Sequence, residues 1–249
     1  MKLQLEGKKV LVTGGTRGIG AAIAKLFLAE GGDVAVVGRS LENYNAFLHN
    51  LTESSRRRCD FLKTNLDVES EIKNLEQSCA TANYDILINN AGINEINLTT
   101  DTSLPSFRNI HKVNVETPFR LSKVCLRHML SNNWGRIINI TSIFGVVSKS
   151  KRLSYSTSKF GLNGMTKSMA LDCANNNVLI NAVAPGFINT ELTSSVLGQS
   201  GIEEVMKTIP IGRLGHPDEV AKLVCFLASE ANTYLTGQQV VMDGGYTIG

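Results

Sequence analysis

The chain has 249 residues, 43% of them hydrophobic and 19% charged, enough apolar content to bury a substantial core. Its formal net charge of +3 is mild, and the basic residues are scattered apart from 56–58 and 149–152, which argues against a nucleic-acid-binding protein. Five dispersed cysteines without a Cys-x-x-Cys pair are expected to be reduced thiols of a cytoplasmic protein. Four isolated histidines predict no metal site, and no signal peptide or membrane-spanning stretch is expected.

In chain order, short runs rich in Val and Ile alternate with longer amphipathic segments. Strands are expected at 9–12, 34–37, 86–89, 137–141, 179–183 and 239–242, and helices at 18–29, 69–80, 107–129, 156–175 and 218–229. Strands apolar along their whole length belong to a parallel sheet covered on both faces. The repeated strand and helix order predicts an α/β fold, a doubly wound parallel sheet with helices on both faces. With no Pro-rich or Ser-rich linker, the chain reads as one domain, 1–249.

The first strand runs into Thr13-Gly14-Gly15-Thr16-Arg17-Gly18-Ile19-Gly20, directly before the first helix. Glycines permit a tight turn there, and the helix N-terminus presents free amides to a pyrophosphate, so the segment reads as a dinucleotide-phosphate loop. The second strand ends in Val36-Val37-Gly38-Arg39-Ser40. An acid at that point holds the ribose hydroxyls of NAD. Here none is present, and Arg39 with Arg17 suits a 2′-phosphate, which predicts NADP(H) in preference to NAD(H). Solvated surface arginines are the plainer alternative.

Further along, Asn139-Ile140-Thr141-Ser142 precedes Tyr155 and Lys159. A spacing of four on a helix puts the phenol and the ammonium on one face. A free tyrosine, with a pKa of about 10, is a poor acid or base at neutral pH. The lysine is expected to lower that value, while the Ser142 hydroxyl binds the same reacting oxygen. Such a group moves a proton on or off a carbonyl.

Taken with Asn89-Asn90-Ala91-Gly92 and Pro185-Gly186, these motifs stand in the order and spacing of the short-chain dehydrogenase/reductase family, which the chain resembles from Gly7 to its end. The resemblance implies a single Rossmann-type domain, with a cofactor half over about 1–140 and a catalytic and substrate half over about 141–249. It implies a catalytic set of Asn114, Ser142, Tyr155 and Lys159, in which Asn114 holds a water near Lys159. For the cofactor it implies contacts from Gly14, Thr16, Arg17, Gly18, Ile19 and Gly20 in the loop, and from Arg39 and Ser40. Asn65, Leu66, Asn90, Ala91 and Gly92 follow, then Tyr155, Lys159, Pro185, Gly186, Ile188 and Thr190. Hydride would pass between a nicotinamide and a carbonyl carbon, with Tyr155 giving the oxygen its proton, Ser142 steadying it and Lys159 anchoring the ribose. A homotetramer, with the Tyr155 helix at an interface, is also implied.

The branch most resembled contains the bacterial 3-oxoacyl carrier-protein reductases, through Gly135-Arg136-Ile137-Ile138-Asn139-Ile140 and Ala184-Pro185-Gly186-Phe187-Ile188. Asn133 and Asn176 stand where that branch uses arginines to dock its acidic carrier. The substrate is therefore open between an acyl thioester and an acidic sugar or other small hydroxy or keto acid. In Ser148-Lys149-Ser150-Lys151-Arg152, Arg152 either faces the carboxylate of an anionic substrate beside Ser142 and Tyr155 or belongs to a solvated basic loop or subunit contact, the commoner fate of a charge run. Residues 193–208 read as a flexible stretch and helix, with Gly198 and Gly201 as hinges, and the resemblance implies that this region closes over the substrate. A reading from another class is an NADP(H)-binding regulatory subunit. The presence of Ser142, Tyr155 and Lys159 counts against it.

Overall fold

A computed structural model describes residues 3–249, apart from the side chain of Leu192. Among the described residues, seven strands form one parallel sheet: β1 (Lys9–Thr13), β2 (Asp33–Gly38), β3 (Cys59–Lys63), β4 (Ile86–Asn89), β5 (Gly135–Ile140), β6 (Val178–Pro185) and β7 (Gln239–Met242). Their order is β3-β2-β1-β4-β5-β6-β7, so the winding reverses between β1 and β4. A crevice opens at the carboxyl ends of the strands at such a point, and ligands of doubly wound sheets bind there.

Alternation along the strands builds the two cores. Val10 and Val12 of β1, with Ile86 and Ile88 of β4, point to one face, where α1 (Gly18–Ala29) covers them. Leu11 and Leu87 point to the other, beneath α4 (Glu69–Ala82) and α6 (Thr117–Ser131). All eight residues of β6 are buried, as expected of a central parallel strand, and each fully buried aliphatic side chain contributes about 1.5–3 kcal/mol. A polar ladder crosses the second core: Asn89 Nδ2 donates to Asn139 Oδ1 at 2.8 Å, and Asn139 Nδ2 donates to Thr166 Oγ1 at 2.8 Å. Asn89 is thus a structural tie between neighbouring strands.

The structure adds elements that the apolar pattern does not show. Strand β3 is an edge strand whose Asp60 and Lys63 face solvent, so it lacks a continuous apolar run. Two short helices, α2 (Leu41–His49) and α3 (Glu53–Arg56), precede it. The helix expected over 107–129 is two: α5 (Leu104–His111) and α6, joined by a π-helical turn at Lys112–Glu116. Pro118 explains part of the break, since it has no N–H to give to the Asn114 carbonyl four residues earlier.

Helix α7 (Leu153–Cys173) begins three residues earlier than expected and so takes in Tyr155. The segment after β6 forms α8 (Glu191–Thr208), broken at Gly198, whose φ of 63° and ψ of 178° are not helical; Gly201 is not a second break. Helix α9 (Pro217–Leu227) carries a capping box between His216 and Glu219 and packs beside α1.

Candidate active site

At the crevice, the turn after β1 and the turn after β4 are tied together. Thr13 Oγ1 accepts from the Asn90 and Ala91 amides, both at 3.0 Å, while Asn90 Nδ2 donates to the carbonyls of Thr13 at 2.9 Å and Gly14 at 3.1 Å. Gly20 lets α1 press onto this turn: a Cβ there would lie 2.1 Å from the Gly14 oxygen and 2.5 Å from Asn90 Nδ2. Gly14 has a φ of 64°, a left-handed conformation that side chains disfavour. Arg17, the N-cap of α1, makes no side-chain cap, and no acid stands in the first turn. The first-turn amides are therefore uncapped by any side chain and face the crevice, an anion-binding arrangement.

One cavity of about 700 Å³ runs from this loop to the carboxyl ends of β5 and β6. Every residue named above for the cofactor lines it, from Gly14 and Gly20 through Arg39, Ser40, Asn65, Leu66, Asn90, Ala91 and Gly92 to Pro185, Gly186, Ile188 and Thr190. Ser142, Tyr155 and Lys159 line it too, while Asn114 and Arg152 stand behind the wall. The cradle fits a dinucleotide: an uncapped helix N-terminus meets a cavity of suitable length, with guanidiniums but no acid at the end of β2. A Cβ on Gly38 would lie 3.1 Å from Thr16 Cγ2, so the end of β2, where Arg39 follows, abuts the glycine loop. Arg17 pairs with Glu191 at 3.0 Å and Arg39 with Asp67 at 3.6 Å; Arg17, Glu191 and Arg39 are largely exposed and Asp67 is partly buried.

The catalytic candidates meet on the opposite wall. Ser142 ends β5 and opens a one-turn 3₁₀ helix, its Oγ accepting from the Phe144 amide at 3.1 Å. Lys159 is 3% exposed; its Nζ donates to the Ile140 carbonyl at 2.9 Å and lies 5.6 Å from the centre of the Tyr155 ring. Burial lowers the ammonium to about 8. Burial also raises the Tyr155 phenol, which is only partly offset by Ser142 and by the Arg152 charge. This corrects the expectation of a phenol lowered by Lys159: desolvation outweighs the Ser142 hydrogen bond and the Arg152 charge, which are the groups that oppose it. The acid form of Tyr155 is thereby held over the neutral range.

Asn114 sits on the π-helical turn, fully buried. Its Oδ1 accepts from the Ile93 amide at 2.9 Å, and its Nδ2 donates to the Ile93 carbonyl at 2.9 Å and to Ser158 Oγ at 3.0 Å. Ser158 in turn donates to the Tyr155 carbonyl at 2.7 Å. The Asn114 side chain, with both amide hydrogens spent, is therefore a brace between the loop after β4 and the turn carrying Tyr155. A Cβ on Gly92 would sit 3.3 Å from Lys159 Nζ and 3.4 Å from Asn114 Oδ1, so the loop passes close to both side chains.

The basic segment does not behave as one. Lys149 and Lys151 are exposed, whereas Arg152 is 8% exposed, its guanidinium carbon 5.4 Å from the Phe144 ring centre. The expectation of a solvated charge run therefore fails at Arg152, because Phe144 supplies an aromatic platform that sequence distance conceals. The structure also adds cavity residues that motif reading passed over. These include Asp67, which the Asn65-Leu66 motif adjoins, and Asn94, whose Oδ1 is buried without a partner.

Residues 14–247 match the family model described as enoyl-(acyl carrier protein) reductase. The chain belongs to the short-chain dehydrogenase/reductase family and is an oxidoreductase that interconverts carbonyl and alcohol groups with a nicotinamide cofactor. It is 40% identical over 247 residues to a 3-oxoacyl-(acyl-carrier-protein) reductase of Aquifex aeolicus, covering 98% of this chain and 99% of that protein. Among solved structures, one from Beutenbergia cavernae described as an NAD(P)-dependent gluconate 5-dehydrogenase, with NADP bound at low occupancy, matches with a TM-score of 0.93 and 29% identity over the whole of both chains. A 3-oxoacyl-(acyl-carrier-protein) reductase of Agrobacterium tumefaciens with NADP bound matches with a TM-score of 0.91 and 30% identity, over 98% of this chain and 96% of that one.

The lowered Lys159 gives a stability signature whose sign is fixed by linkage. The folded value of about 8 lies below the ordinary 10.5, so the buried charge costs stability in full below about 8, and the cost disappears as pH rises to 10.5. Thermal and urea unfolding of wild type and Lys159→Met should therefore show wild type gaining on the variant between pH 8 and 10.5, by up to about 3 kcal/mol. A pH-independent difference would mean that the ammonium is not desolvated.

Proposed function

We propose that the protein is an NADP(H)-dependent reductase of ketones, or the corresponding alcohol dehydrogenase, acting on 3-oxoacyl thioesters. The observation that carries the chemistry is the meeting of Ser142, Tyr155 and Lys159 on a cavity wall opposite an uncapped helix N-terminus. A bound nicotinamide dinucleotide supplies hydride to the carbonyl carbon. Tyr155 Oη gives its proton to the developing alkoxide, and Ser142 Oγ donates a hydrogen bond to the same oxygen. Lys159, charged below about 8, stabilises the phenolate left behind and reaches toward the ribose. A phenol raised by burial suits the reductive direction, since the acid is present at neutral pH.

Full-length likeness to 3-oxoacyl reductases at 40% identity supports the thioester reading. A second reading, a small hydroxy or keto acid, is favoured by the pair at Asn133 and Asn176. Asn176 Nδ2 donates to Asn133 Oδ1 at 3.0 Å, so these positions offer an acidic carrier no charge.

For the cofactor, Arg39 and Arg17 support NADP(H) over NAD(H), since both line the cavity and no acid ends β2. We assign the protein to the cytoplasm and to a homotetramer. The five cysteines are free and buried, no helix among the described residues is long and apolar enough to cross a membrane, and α7 exposes Phe160 (47%) and Leu171 (85%). Leu162, by contrast, is core.

Three outcomes test this reading. Oxidation of NADPH is expected with neutral 3-oxoacyl thioesters in a panel that includes keto acids; cofactor binding without turnover on any of them would return the regulatory-subunit reading. Arg39→Asp should lower kcat/KM for NADPH relative to NADH by about tenfold to a hundredfold, the worth of a charge-assisted contact, and an unchanged ratio would remove Arg39 from the assignment. Light scattering should report four chain masses, and a monomer would refute the tetramer.

A further inference from the structure

The two arginines proposed above for a 2′-phosphate are each held by an acid of the same cavity. Arg17 Nη1 donates to Glu191 Oε2 at 3.0 Å, and Arg39 Nη1 stands 3.6 Å from Asp67 Oδ2; all four residues line the dinucleotide cavity. Without a ligand, carboxylates of the chain therefore occupy the guanidiniums that a phosphate would take. Arg17 is well placed to be such a guanidinium. It follows Thr16, which abuts Gly38 at the end of β2, and Arg39 follows Gly38.

The two acids differ in how firmly they are placed. The Asp67 side chain is only 35% exposed, and its Oδ1 also accepts from Asn109 Nδ2 at 3.2 Å, which fixes the carboxylate against α5. The Glu191 side chain is 77% exposed and belongs to the first turn of α8. That helix is capped by Thr190, whose Oγ1 accepts from the Thr193 amide at 3.2 Å, so the Glu191 carboxylate is not needed to start it. Once released, the carboxylate still sits at a helix N-terminus, where a negative charge is favoured. Arg17 and Glu191 also line a second hollow of about 410 Å³, bounded by α1, α2 and the start of α9. Their ion pair thus forms the rim between two open spaces, and the two side chains have room to part. Glu191 is the displaceable anion.

We propose that Glu191 is a specificity residue that competes with the 2′-phosphate of NADP(H) for Arg17, so that the phosphate binds by exchange of one anion for another. This rests on the NADP(H) reading above and adds to it a residue that weakens the preference created by Arg17 and Arg39. NADH has no 2′-phosphate and leaves the pair in place. An exposed ion pair contributes little, so the exchange costs affinity only a few-fold.

The test is titration of the full chain with NADPH and with NADH, followed by nicotinamide fluorescence. Glu191→Gln should lower the Kd for NADPH by about two- to fivefold, the worth of an exposed pair, and leave the Kd for NADH unchanged. In an Arg17→Leu background the same substitution should no longer tighten NADPH. Unchanged or weaker NADPH binding by Glu191→Gln overturns the proposal, as does equal tightening of both cofactors or tightening that persists without Arg17. Should Glu191→Gln not fold, Glu191→Ala takes its place with the same expectation. NADPH bound by wild type no more tightly than NADH, and no more weakly by Arg17→Leu, would remove the NADP(H) reading and the proposal with it. A wild type that prefers NADPH but is indifferent to the charge at position 191 overturns the proposal alone.

Discussion

The site depends on how closely two turns approach each other at the point where the sheet reverses its winding. Four hydrogen bonds join Thr13 and Gly14, at the turn after β1, to Asn90 and Ala91, at the turn after β4. That contact is possible only because Gly20 has no side chain to strike the Gly14 oxygen. It aims the N-terminus of α1 along the crevice and fixes the floor on which Gly92 separates Lys159 from Asn114. A larger residue at position 20 would push the helix away from the loop and move both ends of the cavity together.

Desolvation organises the chemistry on the other wall. The same burial that raises the Tyr155 phenol lowers the Lys159 ammonium to about 8, so two groups of similar proton affinity when free are driven apart. The roles proposed for them follow from that separation: an acid that keeps its proton at neutral pH beside a cation that can stabilise the anion once the proton has left. Asn114 contributes by geometry, bracing the Tyr155 turn through Ser158.

Much of this was legible in the residues. Continuous apolar runs announced the central strands because parallel strands are buried on both faces, and the glycine spacing announced the loop because backbone must pass backbone there. What stayed hidden has physical causes. Strand β3 lies at the sheet edge, where Asp60 and Lys63 reach solvent and interrupt the pattern. The break at Asn114 needed attention to Pro118, whose missing N–H interrupts a periodic segment that otherwise reads as one helix. Arg152 shares its neighbours' charge but not their surroundings, and only the packing of Phe144 reveals that. The direction of the Tyr155 shift was also beyond reach, because it depends on how much water the folded wall excludes.

The central claim is that Tyr155 supplies the proton in a nicotinamide-linked reduction, and Tyr155→Phe tests it most directly. With NADPH affinity and ketone turnover measured side by side, the account predicts a dissociation constant for NADPH within a few-fold of wild type and a kcat lower by at least about a hundredfold, the lower range for losing a general acid. Near-normal turnover in that variant would contradict it.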